Sequence, residues 1–225
     1  MTLDPRPERA SFPALRARLD ALLQHGLADD AIEHAGQVAA AAAVLHSAFA
    51  LAGLRCVLTG GSALEVHVPG VYKSADLDVV IEGRLGEPVR GRLAPVFDAL
   101  GFAPVDRHWA RDELFVEVPD HRVDGPTELV RAGGFELRIM RVEALLKFRI
   151  VGYKYWGVTS YAQQAIDVLV ALGGEYDEAL LLSLLRPERA EDAYHALLLL
   201  AHSHAPVTEG QLNAVLADLT TRPGP

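Results

Sequence analysis

Two short stretches hold the residues best suited to chemistry. The first is Leu58-Thr59-Gly60-Gly61-Ser62; the second contains Asp76 and Asp78, fourteen and sixteen residues beyond Ser62. Residues two apart on a strand share a face, so Asp76 and Asp78 would present two carboxylates together. Such a pair repels itself unless a cation lies between, and hard oxygen donors with no neighbouring His or Cys cluster favour Mg2+ or Mn2+ over zinc. Glycines ahead of a helix let backbone approach a ligand closely, and the free amides of a first helical turn suit a phosphate. Ser62 adds a hydroxyl there. A phosphate cradle next to a metal-holding acid pair describes a nucleoside triphosphate site, with phosphorus attacked in line by a hydroxyl. Each motif alone is common, since Gly-Gly is an ordinary strand-to-helix turn and Asp-x-Asp occurs on exposed strands. Their pairing is more specific. The acids also interrupt a run that is otherwise apolar, Leu77-Val79-Val80-Ile81.

These residues need a strand, a glycine turn, a helix and a second strand, and the patterning supplies that order. Arg55-Cys56-Val57-Leu58-Thr59 is β-rich, Ser62 to His67 reads as a helix start, and Ala75 to Ile81 reads as a strand closed by Gly83 to Pro88. Upstream, Ser11 is an N-cap for a helix through Leu15, Leu19, Leu22 and Leu23 to about Gln24. A longer helix starts at Asp29 or Asp30 and runs to Gly53, with alanines 39–43 suited to close packing. Downstream come a helix through Leu93, Val96, Phe97 and Leu100, a strand over 113–118 and another over 134–139. From Val142 every signal is helical: to Trp156, then 161–172, 179–185, 190–202 and 210–219, with a frayed tail from Thr221. The expected fold class is therefore α+β. A small mixed sheet within 1–140 is preceded by helices, and 141–225 forms a helical bundle. Few strands and no βαβ series argue against a doubly wound nucleotide-binding sheet.

With 225 residues, half of them apolar, the chain can build one large core or two small ones, which excludes disorder. The single Cys56 excludes a disulfide-stapled fold. A net charge of −9 disfavours any partner that needs a broad basic face. The first twenty residues carry Arg6, Arg9, Arg16 and Arg18 without an apolar signal core, so the expected location is cytoplasmic. The Ala-rich stretch 35–54 is interrupted by Gln37, His46 and Ser47 and reads as a buried helix rather than a membrane span.

Gly60-Gly61-Ser62-Ala63-Leu64 followed by Lys73-Ser74-Ala75-Asp76-Leu77-Asp78-Val79-Val80-Ile81 resembles the signature of the DNA polymerase β-like nucleotidyltransferase superfamily. The spacing is closer to the AbiEii/MenT-type toxin nucleotidyltransferases and related uncharacterised bacterial proteins than to the minimal antibiotic-modifying members. The resemblance runs from about Arg55 to Leu172. It implies transfer of a nucleoside monophosphate from a triphosphate to a hydroxyl, with Mg2+ or Mn2+ as cofactor. The triphosphate would meet Gly60, Gly61 and Ser62, and the metal would sit on Asp76 and Asp78, with the Ser74 hydroxyl beside the acids. A helical Lys and a later helical Asp also belong to the pattern. Lys147 would meet a phosphate charge and Asp167 would meet Lys147 or the base; an ordinary surface lysine is the alternative for Lys147.

The resemblance further implies a third carboxylate on a later strand, usually Asp. Glu117 is the candidate here; it would reach the metal, serve as general base, or be a plain strand-end acid. The acceptor stays open among a tRNA end, a protein hydroxyl and a small molecule, as do the base and the oligomeric state. Two alternatives accompany the enzyme: a nucleotidyltransferase fold that binds without catalysis, and a toxin that modifies tRNA. The toxin would need a local basic groove, for which Arg84, Arg90, Arg92, Arg107 and Arg111 are available. Weaker candidates are His195 and His202, which share one helix face, whereas His204, two residues on from His202, diverges from it, and Tyr153, Tyr155 and Trp156 as stacking groups. Cys56 reads as inert within an apolar strand.

Overall fold

The computed structural model describes residues 11–82, 89–203 and 205–221. The expected turn at 83–88, the side chains of Arg84 and Arg90, His204 and residues 222–225 of the tail lie outside the described residues. The chain divides into two compact units, 1–140 and 141–225.

The first unit opens with two helices whose caps follow the sequence. Ser11 Oγ accepts from Ala14 N–H at the start of α1 (Phe12–Leu23), and Asp30 accepts from Ile32 and Glu33 N–H at the start of α2 (Ala31–Leu51). The remaining elements are β1 (Arg55–Leu58), α3 (Gly60–His67), β2 (Leu77–Glu82), α4 (Arg90–Leu100), β3 (Ala103–Val105), β4 (His108–Arg111), β5 (Leu114–Glu117), β6 (Thr127–Ala132) and β7 (Phe135–Met140). The seven strands form one mixed sheet in the order β3-β4-β5-β2-β1-β7-β6. β1 runs antiparallel to β2 and parallel to β7, while β2 runs parallel to β5. The fold is thus α+β, with a larger sheet than the four strands read from the sequence.

The core lies where α2 covers β1 and β7. Alanines 39–43 are all buried and let the helix come close: a β-carbon at Gly133, in the β6–β7 turn, would lie 2.9 Å from that of Ala40. α2 is long and apolar enough to cross a membrane by length and composition, yet 67% of its most apolar window is buried within the protein. Phe97 of α4 meets Phe49 edge-on and stacks on Trp109 with centroids 4.6 Å apart, tying helices to the β4 side of the sheet.

Several boundaries differ from the sequence reading by a residue or two, three of them in the first unit near the site or in the sheet. α3 begins at Gly60 rather than Ser62, β2 begins at Leu77 so that Asp76 stands at its mouth, and Gly134 belongs to a turn. The missed strands β3, β4 and β6 are short or largely exposed, so they bury no alternating apolar set that periodicity could detect.

The second unit contains α5 (Val142–Trp156), α6 (Thr159–Leu172), α7 (Glu178–Leu185), a 3-10 turn (Arg186–Glu188), α8 (Glu191–His202) and α9 (Glu209–Thr221). α5 and α6 end at Gly157 and Gly173, which take left-handed φ values of 67° and 56°. Buried Tyr153 donates its hydroxyl to Leu212 O at 2.5 Å, linking α5 to α9.

Candidate functional site

The glycine turn and the acid strand are joined by hydrogen bonds from both sides. After β1 the chain is extended at Thr59 and then turns through Gly60, whose φ is +63°. Thr59 N–H donates to Asp78 O at 2.9 Å. Gly61 N–H donates to Asp78 Oδ2 at 3.0 Å, and Asp78 N–H donates to Ser62 Oγ at 3.0 Å. Ser62 Oγ in turn donates to Thr59 O at 3.1 Å and is fully buried, so its hydroxyl braces the turn. A β-carbon at Gly60 would stand 2.5 Å from Asp78 Cγ, and one at Gly61 would stand 3.1 Å from Ser74 Oγ. Gly60, Gly61, Ser62, Ser74 and Asp78 therefore come together, and Tyr72 joins them, its ring 2.5 Å from the same point at Gly61.

A buried pair behind the turn holds Ser74. Glu65 of α3 and His34 of α2 are 1% and 3% exposed and share a short hydrogen bond. The other oxygen of Glu65 accepts from Ser74 N–H at 2.8 Å. The carboxylate thus spends both oxygens inside the fold, one fixing α3 on α2 and one fixing the segment that leads into Asp76. Sequence reading missed both residues, because a Glu and a His 31 positions apart give no local signal.

At the mouth of β2, Asp76 is joined by Glu117 and by a residue the sequence reading did not single out, His108. His108 Nε2 lies 3.2 Å from Asp76 Oδ2 and 3.8 Å from Glu117 Oε2. One donor atom from each of the three falls within 4.8 Å of the others, a grouping fit to hold a metal ion. Backbone register produces it: His108 pairs with Glu117 across β4 and β5, and Glu117 pairs with Asp78 across β5 and β2. Arg107 reaches the other Glu117 oxygen at 3.5 Å. A cation that holds ligands at about 2.1 Å keeps neighbouring donors roughly 3.0–3.4 Å apart, so the His108–Asp76 spacing suits one and the His108–Glu117 spacing needs a small rotation.

Lys147 and Asp167 sit on the expected helices of the second unit. Lys147 Nζ pairs with Glu188 at 2.9 Å, and Asp167 accepts from Gln163 Nε2 at 2.8 Å, one helical turn away. Tyr155 donates its hydroxyl to Glu188 O, while Trp156 is 62% exposed and packs edge-on to Phe148. His195 lies against the Tyr194 ring. Burial, followed by hydrogen bonds with Tyr176 and Glu178, pushes the Tyr194 hydroxyl far up from its ordinary pKa.

The arginines available for a basic groove are partly committed elsewhere. Arg111 is 9% exposed, donates to Leu100 O at 2.5 Å and pairs with Asp20. Burial, then the nearby Arg16 charge, lowers its pKa against a smaller opposing effect of Asp112. Arg92 donates to Ala52 O. Cys56 is buried in β1, and burial pushes its thiol far above the usual range, in keeping with an inert residue.

Comparison with protein-family models, with curated proteins and with solved structures gives no match to this chain.

Proposed function

We propose that the first unit is a metal-dependent nucleotidyltransferase of the DNA polymerase β-like kind, moving a nucleoside monophosphate from a triphosphate to a hydroxyl. One observation carries the reading: the glycine turn and the acid strand are bonded into a single piece, with Gly61 N–H on Asp78 Oδ2 and Ser62 Oγ under Asp78 N–H.

The donor set fits a divalent cation. Asp76 and Glu117 bring carboxylate oxygens into one group with the His108 nitrogen; Asp78, opposite Glu117 in the strand register, would add another, since a carboxylate has about four lone-pair sites and could serve Gly61 and a metal together. Bound there, Mg2+ or Mn2+ would neutralise charge on the triphosphate and acidify the acceptor hydroxyl. The chain does the rest. The space that a side chain at Gly60 or Gly61 would take holds the Asp78 carboxyl and the Tyr72 ring, so phosphate oxygens would reach the first-turn amides of α3 as those two side chains swing aside, with Ser74 Oγ beside them as a further donor. The acceptor oxygen forms its bond to the α-phosphorus as the bond to the β-phosphate oxygen breaks, and pyrophosphate leaves. The acceptor proton passes to a carboxylate, for which Glu117 at the end of β5 is placed. Positioning and charge supply the rate, since phosphoryl chemistry asks little covalent help of a protein. The reading uses residues of the first unit alone.

A second reading has one observation in its favour. His108 already lies against Asp76 and Glu117, as a side chain would that had taken a cation's place in a fold retained for binding. Incubation with Mg2+, α-labelled nucleoside triphosphates and cell extract separates the two. The enzyme labels RNA, protein or a small molecule, and Asp76→Ala with Asp78→Ala abolishes the label. Nucleotide bound without transfer supports the binding protein, and transfer that survives the double substitution overturns the mechanism.

A further inference from the structure

His108 differs in kind from every other donor at the site. It brings an imidazole nitrogen to a place otherwise made of carboxylates, and the fold specifies its position tightly. The β3–β4 and β4–β5 connections are two residues each, 106–107 and 112–113, with Asp106 and Asp112 both at a φ of 52°. Turns this short fix register, and a slip of one residue would send His108 to the opposite face of the sheet. The ring is also held from the side, edge-on to Phe115 with centroids 6.2 Å apart. The outcome is an Nε2 aimed at Asp76 Oδ2 and Glu117 Oε2, the two oxygens with which it makes the only such three-residue group among the described residues.

We infer that His108 is a metal ligand, and that with Asp76 and Glu117 it makes the site selective for a first-row transition ion over Mg2+, a preference that Mn2+, the member of that series nearest to Mg2+, serves to probe. Mg2+ holds its waters and prefers oxygen donors in a near-ideal octahedron, so it gains little from an imidazole. Mn2+ has a similar charge and coordination number but accepts nitrogen more readily, and later ions in the series do so more strongly still. The inference rests on the proposed use of the acids as metal ligands. It adds the nitrogen and the preference that the nitrogen brings.

The test reads binding and spectroscopy rather than turnover. Titrating the full chain with MnCl2 or MgCl2 without nucleotide should give Mn2+ an advantage of at least about tenfold in Kd. His108→Ala and the size-conserving His108→Gln should both shrink that advantage, chiefly by weakening Mn2+. Electron spin-echo modulation from an imidazole nitrogen should appear on Mn2+ bound to the unaltered protein and vanish in both variants. Equal affinities for the two ions, no metal binding, or Mn2+ bound without nitrogen modulation would each overturn the inference. Label transfer by the unaltered protein is read alongside. Transfer without nitrogen modulation sinks the His108 assignment and leaves the nucleotidyltransferase standing; nitrogen modulation without transfer from any triphosphate does the reverse.

Discussion

Gly60 and Asp78 are fitted to each other so closely that Gly60 cannot take a side chain while the Asp78 carboxyl stays in place. The backbone at Gly60 is left-handed, with φ at +63°, and its missing β-carbon is what leaves room for the Asp78 carboxyl, whose Cγ lies 2.5 Å from where that atom would be. The residue that opens the helix and the residue that carries the acid are one local structure.

Gly60→Ala therefore meets two penalties, a strained φ and a collision with Asp78. It should destabilise the first unit by about 1–3 kcal/mol in denaturant unfolding and displace the carboxylate. Gly61→Ala should cost less. Its φ is ordinary, and the nearest group is the Tyr72 ring, a side chain that can swing aside. Equal losses from the two substitutions would contradict this assignment of roles.

Glu65→Ala removes the acceptor for both His34 and Ser74 N–H in a buried setting. Leaving a buried hydrogen-bonding group without its partner costs roughly 1–3 kcal/mol, and the double change His34→Ala with Glu65→Ala should cost less than the sum of the singles. Amide exchange at 72–76 should rise in Glu65→Ala, because the segment entering β2 loses its anchor.

Cys56 gives a pH dependence with a definite sign. Burial raises its pKa in the fold, so both folded and unfolded chains keep the proton below the unfolded value of about 8.5. Above that, only the unfolded chain releases it, and stability falls by up to about 1.4 kcal/mol per pH unit. Denaturation of the unaltered protein and of Cys56→Val at pH 7 and pH 9.5 should show a larger alkaline loss for the former. A thiol reagent should reach Cys56 only on unfolding.

The central strands were legible because they carry β-rich apolar runs and glycine punctuation, and the helix caps of the N-terminal pair were legible as Ser11 and as Asp29 or Asp30, of which Asp30 is the cap. β6 escaped because its exposure along Thr127–Ala132 has no period of two, although Gly133-Gly134, with φ of 58° and 87°, is a two-residue hairpin turn that demands a strand on each side. The acids Asp76, Asp78 and Glu117 could be read from local pattern and resemblance. His108 could not: it nears Asp76 only through two successive strand pairings, β4 with β5 and β5 with β2, across 32 residues. The Glu65–His34 pair was hidden for the same reason. Each looks like an ordinary helix residue until the helices pack.

The most direct test of the central claim is a crystal of the full chain soaked with MnCl2 and a non-hydrolysable nucleoside triphosphate, measured for anomalous scattering. The account predicts a manganese peak among Asp76, Asp78 and Glu117, with phosphate oxygens against the Gly60-Gly61 turn. A nucleotide bound away from that turn, or manganese absent from those acids while nucleotide is bound, would contradict it.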